Sequence, residues 1–303
     1  MKESTEALPR ISVVMPSFNA AATLERALRS IASQGYPDLQ VLCVDGGSTD
    51  GTVAIIERHA GLVSWWTSEP DRGAAHALNK GFRKADGDVF CWLNADDELA
   101  PGALHAVARS FAKQRDADVV TGGCTRFYAD GSRCDTAVPD WFVDEVALRD
   151  GLEQPSTFWT AAIHRKAGEL DESYRFAFDW EWWNRMKSCG ARFVRVPEVL
   201  SHYHFSNDNL TSRGAQGVVD EMYRVTKRYA PHRGRIADVY MLLYRWFDLR
   251  GYYDPPRWKL PWWRRLPFSL VRRALGLVFG RKAIDAYNWN WASKQVRGLV
   301  WYR

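Results

Sequence analysis

Residues Phe90–Leu99 read FCWLNADDEL. Phe90, Cys91, Trp92 and Leu93 run without a polar break into Asn94, Ala95, Asp96 and Asp97. The run is entered through Asp86-Gly87-Asp88 and left at Pro101-Gly102, so it reads as a buried central strand that ends in carboxylates. Two acids at the end of a buried strand cost solvation energy unless something cationic meets them. A divalent metal carrying a phosphate would do so. The alternative is that Asp96 or Asp97 caps the helix that starts near Pro101.

Working outward, Ile11 to Met15 is a short strand stopped at Pro16-Ser17-Phe18-Asn19. Leu24, Leu28 and Ile31 then recur at helical spacing, with Asn19 a possible cap. Val41 to Val44 is a second strand, running into VDGGSTDGT. Asp50 and Gly51 open a helix through His59, and Val63 to Thr67 is a third strand. After EPDRG (Glu69–Gly73), Ala74, Ala77, Leu78, Gly81 and Phe82 share a helix face. Leu104, Val107, Ala108 and Phe111 form another beyond the opening strand. Strand and helix alternate four times, which predicts an α/β fold with a mostly parallel mixed sheet and helices on both faces. In such sheets the ligand lies beyond the carboxyl ends of the strands, where Asn19, Asp45, Asp71 and Asp96 stand.

After Val119 the pattern changes. A hairpin turn at Ala129–Ser132, an amphipathic stretch around Trp141–Arg149, a helix from about Asp179, and strands at Ala191–Val196 and Val199–Tyr203 are expected. The main boundary is placed near Thr211, giving a first domain over 1–211 and a helical C-terminal extension over 212–303, with helices at about 214–229 and 234–250. A chain of 303 residues with 46% hydrophobic and 25% charged content has room for that division. The opening MKESTEALPR has neither an apolar stretch nor a cleavage pattern, so no secretory leader is expected. Five scattered cysteines without a Cys-x-x-Cys pair suit a reduced, cytoplasmic setting, and a Cys124–Cys134 bridge is not expected.

The ordered segments PSFN, VDGGSTDGT, EPDRG with NKG at Asn79–Gly81, GDVFCWLNADDEL, QPSTFW and FDWEWWNR resemble the family 2 inverting nucleotide-sugar glycosyltransferases. The likeness runs over roughly 11–211 and implies a GT-A (Rossmann-like) fold, a nucleotide-sugar donor and Mn²⁺ or Mg²⁺. It implies a base contact for Asp45 and a nucleoside contact for Asp71, with Pro16 and Asn19 shaping the first turn. Asp45 has a second reading, as acceptor for the backbone amides of the Gly46–Ser48 turn. Arg72 faces either phosphate or solvent. The family's Asp-x-Asp motif here reads Asn94-Ala95-Asp96, so Asp96 is the candidate metal contact and Asn94 a ribose or metal-water contact. An inverting transfer needs a base, and by family spacing that is Asp179, six residues before Arg185, with Glu181 the runner-up. Gln154 is placed on the acceptor side, along with Ser156, Trp180, Trp183 and His204. For each tryptophan the alternative is core packing; His202 and His204 share a strand face and read either as a metal or diphosphate contact or as structural.

The net charge of +5 conceals an asymmetry. From Pro231 onward there are 15 Lys or Arg against 4 Asp and no Glu, and seven of the 15 tryptophans. WKLPWWRRLPFSLVRRALGLVFG (Trp258–Gly280) is too interrupted by Arg272-Arg273 to span a bilayer. Trp and Arg together suit a helix lying at a membrane surface; a helix packed on the protein is the alternative, and no nucleic-acid motif is present. The expectation is a metal-dependent inverting enzyme, peripheral at the inner face of the cell membrane. It would use a glycan or polyprenyl-linked acceptor in cell-surface polysaccharide or glycolipid assembly. A sugar-phosphate nucleotidyltransferase needs a basic glycine-rich loop after the first strand, where PSFNAAAT stands instead. A non-catalytic membrane-bound sugar-binding protein is the second rival, since Asn94 and Phe178 replace acids of the family pattern.

Overall fold

The alternating periods fold as they read, into a mixed sheet clothed on both faces. The computed structural model describes residues 8–205, 215–248 and 261–292. Its first half is β1 (Ile11–Ser17), α1 (Leu24–Ala32), β2 (Leu39–Asp45), α2 (Thr52–Arg58), β3 (Val63–Ser68), α3 (Ala74–Phe82) and β4 (Val89–Trp92). There follow β5 (Glu98–Leu99), α4 (Ala103–Lys113), β6 (Val119–Phe127), β7 (Arg133–Thr136), β8 (Thr157–Thr160), α5 (Ala161–Ala167), α6 (Phe178–Ser188) and β9 (Phe193–His204). The sheet order is β3-β2-β1-β4-β8-β6-β9-β5, with β7 beside β6. Pairs among β3, β2, β1 and β4 are parallel, whereas β8 runs antiparallel to both β4 and β6.

Alternation along β4 sets the two faces. Val89, Cys91 and Leu93 enter an aliphatic core with Val13 and Met15 of β1, Leu28 and Ile31 of α1, and Leu104 and Val107 of α4. Phe90 and Trp92 turn to the other face, where they meet Phe82 of α3, Trp159 of β8, His164 of α5 and Trp183 of α6. Gly81 permits this packing, because a Cβ there would lie within 2.3 Å of a Val14 methyl. Helix α3 therefore rests directly on the strands that carry the site.

The expected strands at 191–196 and 199–203 are one strand, β9, with a register break opposite Thr121–Gly123. Pro197 sits in that break, having no N–H to give the ladder. The hairpin at Ala129–Ser132 forms as expected, with Gly131 at φ 81. All five cysteines are free.

The chain forms two compact units: 1–139 with 152–205, and 140–151 with 206–303. Segment 140–151, read from the sequence as part of the first domain, thus groups with the C-terminal unit, and the boundary near Thr211 falls outside the described residues. Within the second unit lie α7 (Ala215–Tyr229), α8 (Arg235–Leu243), α9 (Trp262–Phe279) and α10 (Arg281–Ala286). Arg149 pairs with Glu145 at 2.7 Å and lies 3.6 Å from the Trp141 ring centre, while Tyr240 donates to the Ala283 carbonyl. The buried Arg149 and Glu145 charges thus face each other and an aromatic ring rather than solvent.

Candidate active site

Three parallel strands end side by side at Ser17, Asp45 and Ser68, which are in register. Asp45 is fully buried between the two serines. Its Oδ1 accepts from Ser17 Oγ (3.2 Å) and Ser48 Oγ (2.5 Å). Its Oδ2 accepts from Ser68 Oγ (2.6 Å) and the amides of Gly47 (3.1 Å) and Ser48 (2.8 Å). Burial opposes its charge, yet these donors outweigh burial and hold the carboxyl below its ordinary pKa. Five donors fill the lone pairs of a carboxylate, so Asp45 anchors the turn and has no acceptor left for a base. The base contact is corrected in favour of the turn-anchoring alternative.

Asn19 has the same task. Its backbone, at φ 48, donates to Ser48 Oγ (2.7 Å), and its Oδ1 accepts from the Thr49 amide (3.0 Å). It staples the turn after β1 to the turn after β2 and does not cap α1, whose first residue follows Thr23. Asp50 accepts the Thr52 and Ala21 amides, holding the start of α2. Pro16, half-buried, is paired in the strand with Val44.

At Gly46 these turns come close to Asp71 and Phe18. A Cβ at Gly46 would lie 2.7 Å from Asp71 Oδ2 and 3.3 Å from the ring of Phe18. Asp71 Oδ1 accepts the Gly73 amide (2.7 Å). Phe18 is 65% exposed. An exposed ring beside a carboxylate, at the ends of parallel strands, suits a heteroaromatic ligand with an N–H at its edge. Phe18 was passed over in the sequence because an aromatic in a turn has no periodic signature. Arg72, an exposed side chain, pairs with Glu172 at 2.5 Å. The phosphate reading of Arg72 gives way to a bracing role, shared by Arg83 with Glu169 and by Asn79, which exchanges hydrogen bonds with Leu170.

The acidic motif is a turn between β4 and β5. Helix α4 is preceded by Gly102 without a side-chain cap, so neither acid is its cap. Asn94 Nδ2 donates to Asp97 Oδ2 (3.2 Å) and to Gln154 Oε1 (2.9 Å), and Gln154 donates to the Trp92 carbonyl (2.8 Å). Gln154 thus belongs to the acidic turn. Ser156, fully buried, hydrogen-bonds the Gly123 carbonyl and Ser201. Asp97 Oδ1 is buried without a hydrogen-bond partner among the described residues. Burial first, then the charge of Asp96, pushes Asp97 well above the ordinary carboxylate pKa, and burial likewise raises half-exposed Asp96. Two adjacent acids, both raised by burial and one with an oxygen that has no hydrogen-bond partner among the described residues, fit a hard cation at this turn.

Strand β5 pairs Glu98 with His202 of β9. Glu98 accepts from Arg26 (2.8 Å) and meets His204 Nε2 (2.7 Å), and His204 stacks on Phe127. The Arg26 guanidinium, which also donates to the Asp96 carbonyl (3.1 Å), opposes the effect of burial on Asp96. His204 is therefore beside the acidic turn rather than in an acceptor pocket. Among the described residues no three His, Cys, Asp or Glu side chains converge as a complete metal cluster.

The two candidate bases separate clearly. Glu181 is fully buried and paired with Arg185 at 2.8 Å, so Arg185 serves Glu181 rather than Asp179. A carboxylate with no exposed surface that is held by Arg185 cannot reach an acceptor hydroxyl, and Glu181 is corrected to a structural role. Asp179 is half-exposed in the first turn of α6, with Oδ1 on the Trp180 amide (2.7 Å). Trp180 and Trp183 are buried, and Trp183 lies parallel to Trp92 at 5.6 Å. The acceptor-side reading of both rings gives way to core packing against the aromatic face of β4.

A family model described as glycosyl transferase family 2 matches residues 12–167. This chain belongs to glycosyl transferase family 2. A PGL/p-HBAD biosynthesis glycosyltransferase of Mycobacterium bovis is 29% identical over 202 residues, 64% of this chain and 76% of the relative. A putative teichuronic acid biosynthesis glycosyltransferase of Bacillus subtilis, TuaG, is 26% identical over 211 residues, 67% of this chain and 82% of the relative. The fold matches the mannosyltransferase PcManGT of Pyrobaculum calidifontis, solved with GDP-Man and Mn²⁺. That match has a TM-score of 0.61 and 20% identity, and covers 93% of this chain and 86% of that one. The GT-A fold and the helical C-terminal region expected for this family 2 glycosyltransferase are both present.

Proposed function

We propose that this glycosyltransferase moves a sugar from a nucleotide-sugar donor to a hydroxyl of a glycan or polyprenyl-linked acceptor, with inversion at the anomeric carbon. Its setting is the assembly of cell-surface polysaccharide or glycolipid, in keeping with the named processes of its relatives. The observation that carries the reading is the acidic turn: partly buried Asp96 next to an Asp97 oxygen that has no hydrogen-bond partner among the described residues.

Phe18 offers its exposed ring to the nucleobase and Asp71 Oδ2, close to Gly46, accepts a base N–H. Asp96 would hold Mn²⁺ or Mg²⁺, with Asp97 supplying negative charge behind it and Asn94 Oδ1 available to the ribose. An ion held there would supply charge neutralisation for the departing diphosphate. Asp179 takes the proton of the acceptor hydroxyl as that oxygen bonds to the anomeric carbon and the bond to the diphosphate breaks. The other carboxylates are excluded from this step by their partners: Asp45 by five donors, Glu181 by Arg185.

The test is a panel of nucleotide sugars incubated with the protein and Mn²⁺, with the anomeric configuration of any product read by NMR. Transfer with inversion is the expected result. A folded protein that neither hydrolyses nor transfers any donor would leave it a binding protein, and retention of configuration would remove Asp179 from its role.

A further inference from the structure

Helix α9 spans Trp262–Phe279, and among the described residues no helix is long and apolar enough to cross a membrane. Its solvent face is nonetheless apolar. Trp262 is 68% exposed and Leu277 88%, and Leu266, Leu270 and Val278 are exposed with them. At 3.6 residues per turn Trp262, Leu266, Leu270 and Leu277 fall within an arc of about 80°. Leu275, the one buried residue among those of the helix whose burial is described, points away from that arc. An apolar stripe of this size on a surface helix marks a docking face.

We infer that this stripe lies on an anionic lipid surface, with α9 parallel to the membrane plane. Charge selects that occupant. Residues 255–282 carry eight Lys or Arg and no Asp or Glu. A second copy of the chain would bring the same eight cations against them, and nucleic acid has nothing to offer an exposed leucine stripe. Anionic headgroups answer the charge while the acyl region receives the leucines, with tryptophan at the boundary between them. Arg273, exposed within the arc, reaches the headgroups by laying its stem along the apolar surface. A chain held in this way would meet a lipid-borne substrate in the plane where it resides. The inference does not depend on which reaction the first unit performs.

The experiment is co-sedimentation of the full-length protein with vesicles of phosphatidylcholine alone or mixed with phosphatidylglycerol, at low and high salt. Binding to the anionic vesicles, weakened by salt, is expected. Leu270→Asp with Leu277→Asp should weaken it by about tenfold or more while circular dichroism is unchanged. Arg273→Glu with Arg281→Glu, both on exposed positions, should weaken it by about tenfold without touching the stripe. Failure to bind anionic vesicles, or equal binding by wild type and both variants, would overturn the inference. So would a stripe variant that abolishes self-association in sedimentation equilibrium with no vesicle binding in the parent.

Discussion

A methyl group at Gly46 would stand 2.7 Å from Asp71 Oδ2, so residue 46 sets where that carboxylate can be. Gly46→Ala should displace Asp71 and raise the Kd of a nucleoside diphosphate about tenfold, equivalent to about 1.4 kcal/mol, with thermal stability little changed. Titration followed by tryptophan fluorescence reads this directly. Asp179 gives a different signature: Asp179→Asn should lower kcat by about 10² to 10⁴ and leave donor affinity intact. Wild-type turnover in that variant would place the base elsewhere. Asp45→Ala belongs to folding as much as to binding. It strands donors from two strands and a turn, and should cost about 2 to 4 kcal/mol in urea unfolding. These residues were visible in the sequence as polar strand ends, but not their partners. Ser17 and Ser68 lie 28 and 23 positions from Asp45, and only strand register brings them together.

At the scale of elements, the aromatic face of β4 fixes how α3, α5 and α6 sit. Gly81→Ala would press a methyl into Val14 and should destabilise by about 1 to 3 kcal/mol, measured by denaturant titration, as α3 lifts from β1. His164 adds a pH dependence. Its Nδ1 accepts the Trp159 indole N–H, which only an unprotonated nitrogen can do, and burial pushes its pKa from 6.5 down to about 4. In that window the unfolded chain binds a proton that the folded chain refuses. Stability is therefore whole above pH 6.5 and falls as pH drops toward 4, by up to about 3 kcal/mol. His164→Gln should flatten this slope in urea melts at pH 7 and pH 5. The helical spacing of Trp180, Trp182 and Trp183 was plain in the sequence. Whether a pocket or a core receives them depended on Trp92 and Trp159, which the sheet presents from distant segments.

For the whole molecule, the acidic turn links binding to stability. Mn²⁺ with a nucleoside diphosphate, each at about a hundred times its Kd, should raise the melting temperature, corresponding to about 2.7 kcal/mol for one saturated site. Asp96→Asn should erase the metal-dependent part in scanning calorimetry; an undiminished shift would move the metal contact off Asp96. The alternation of strand and helix, the polar strand ends and the basic Trp-rich C-terminal region were determined by the sequence itself. They are local properties: apolar period, turn chemistry and charge content need no knowledge of distant neighbours. The tertiary structure decided which polar groups are spent on the fold and which remain for a ligand. Asp45, Glu181 and Arg72 are engaged by Ser48, Arg185 and Glu172, while Asp71 Oδ2 stands close to Gly46 and Asp97 Oδ1 is buried without a hydrogen-bond partner among the described residues. A carboxylate looks the same in sequence whether its lone pairs are filled or empty. Filling them depends on atoms brought within about 3 Å by strands and helices far apart in the chain.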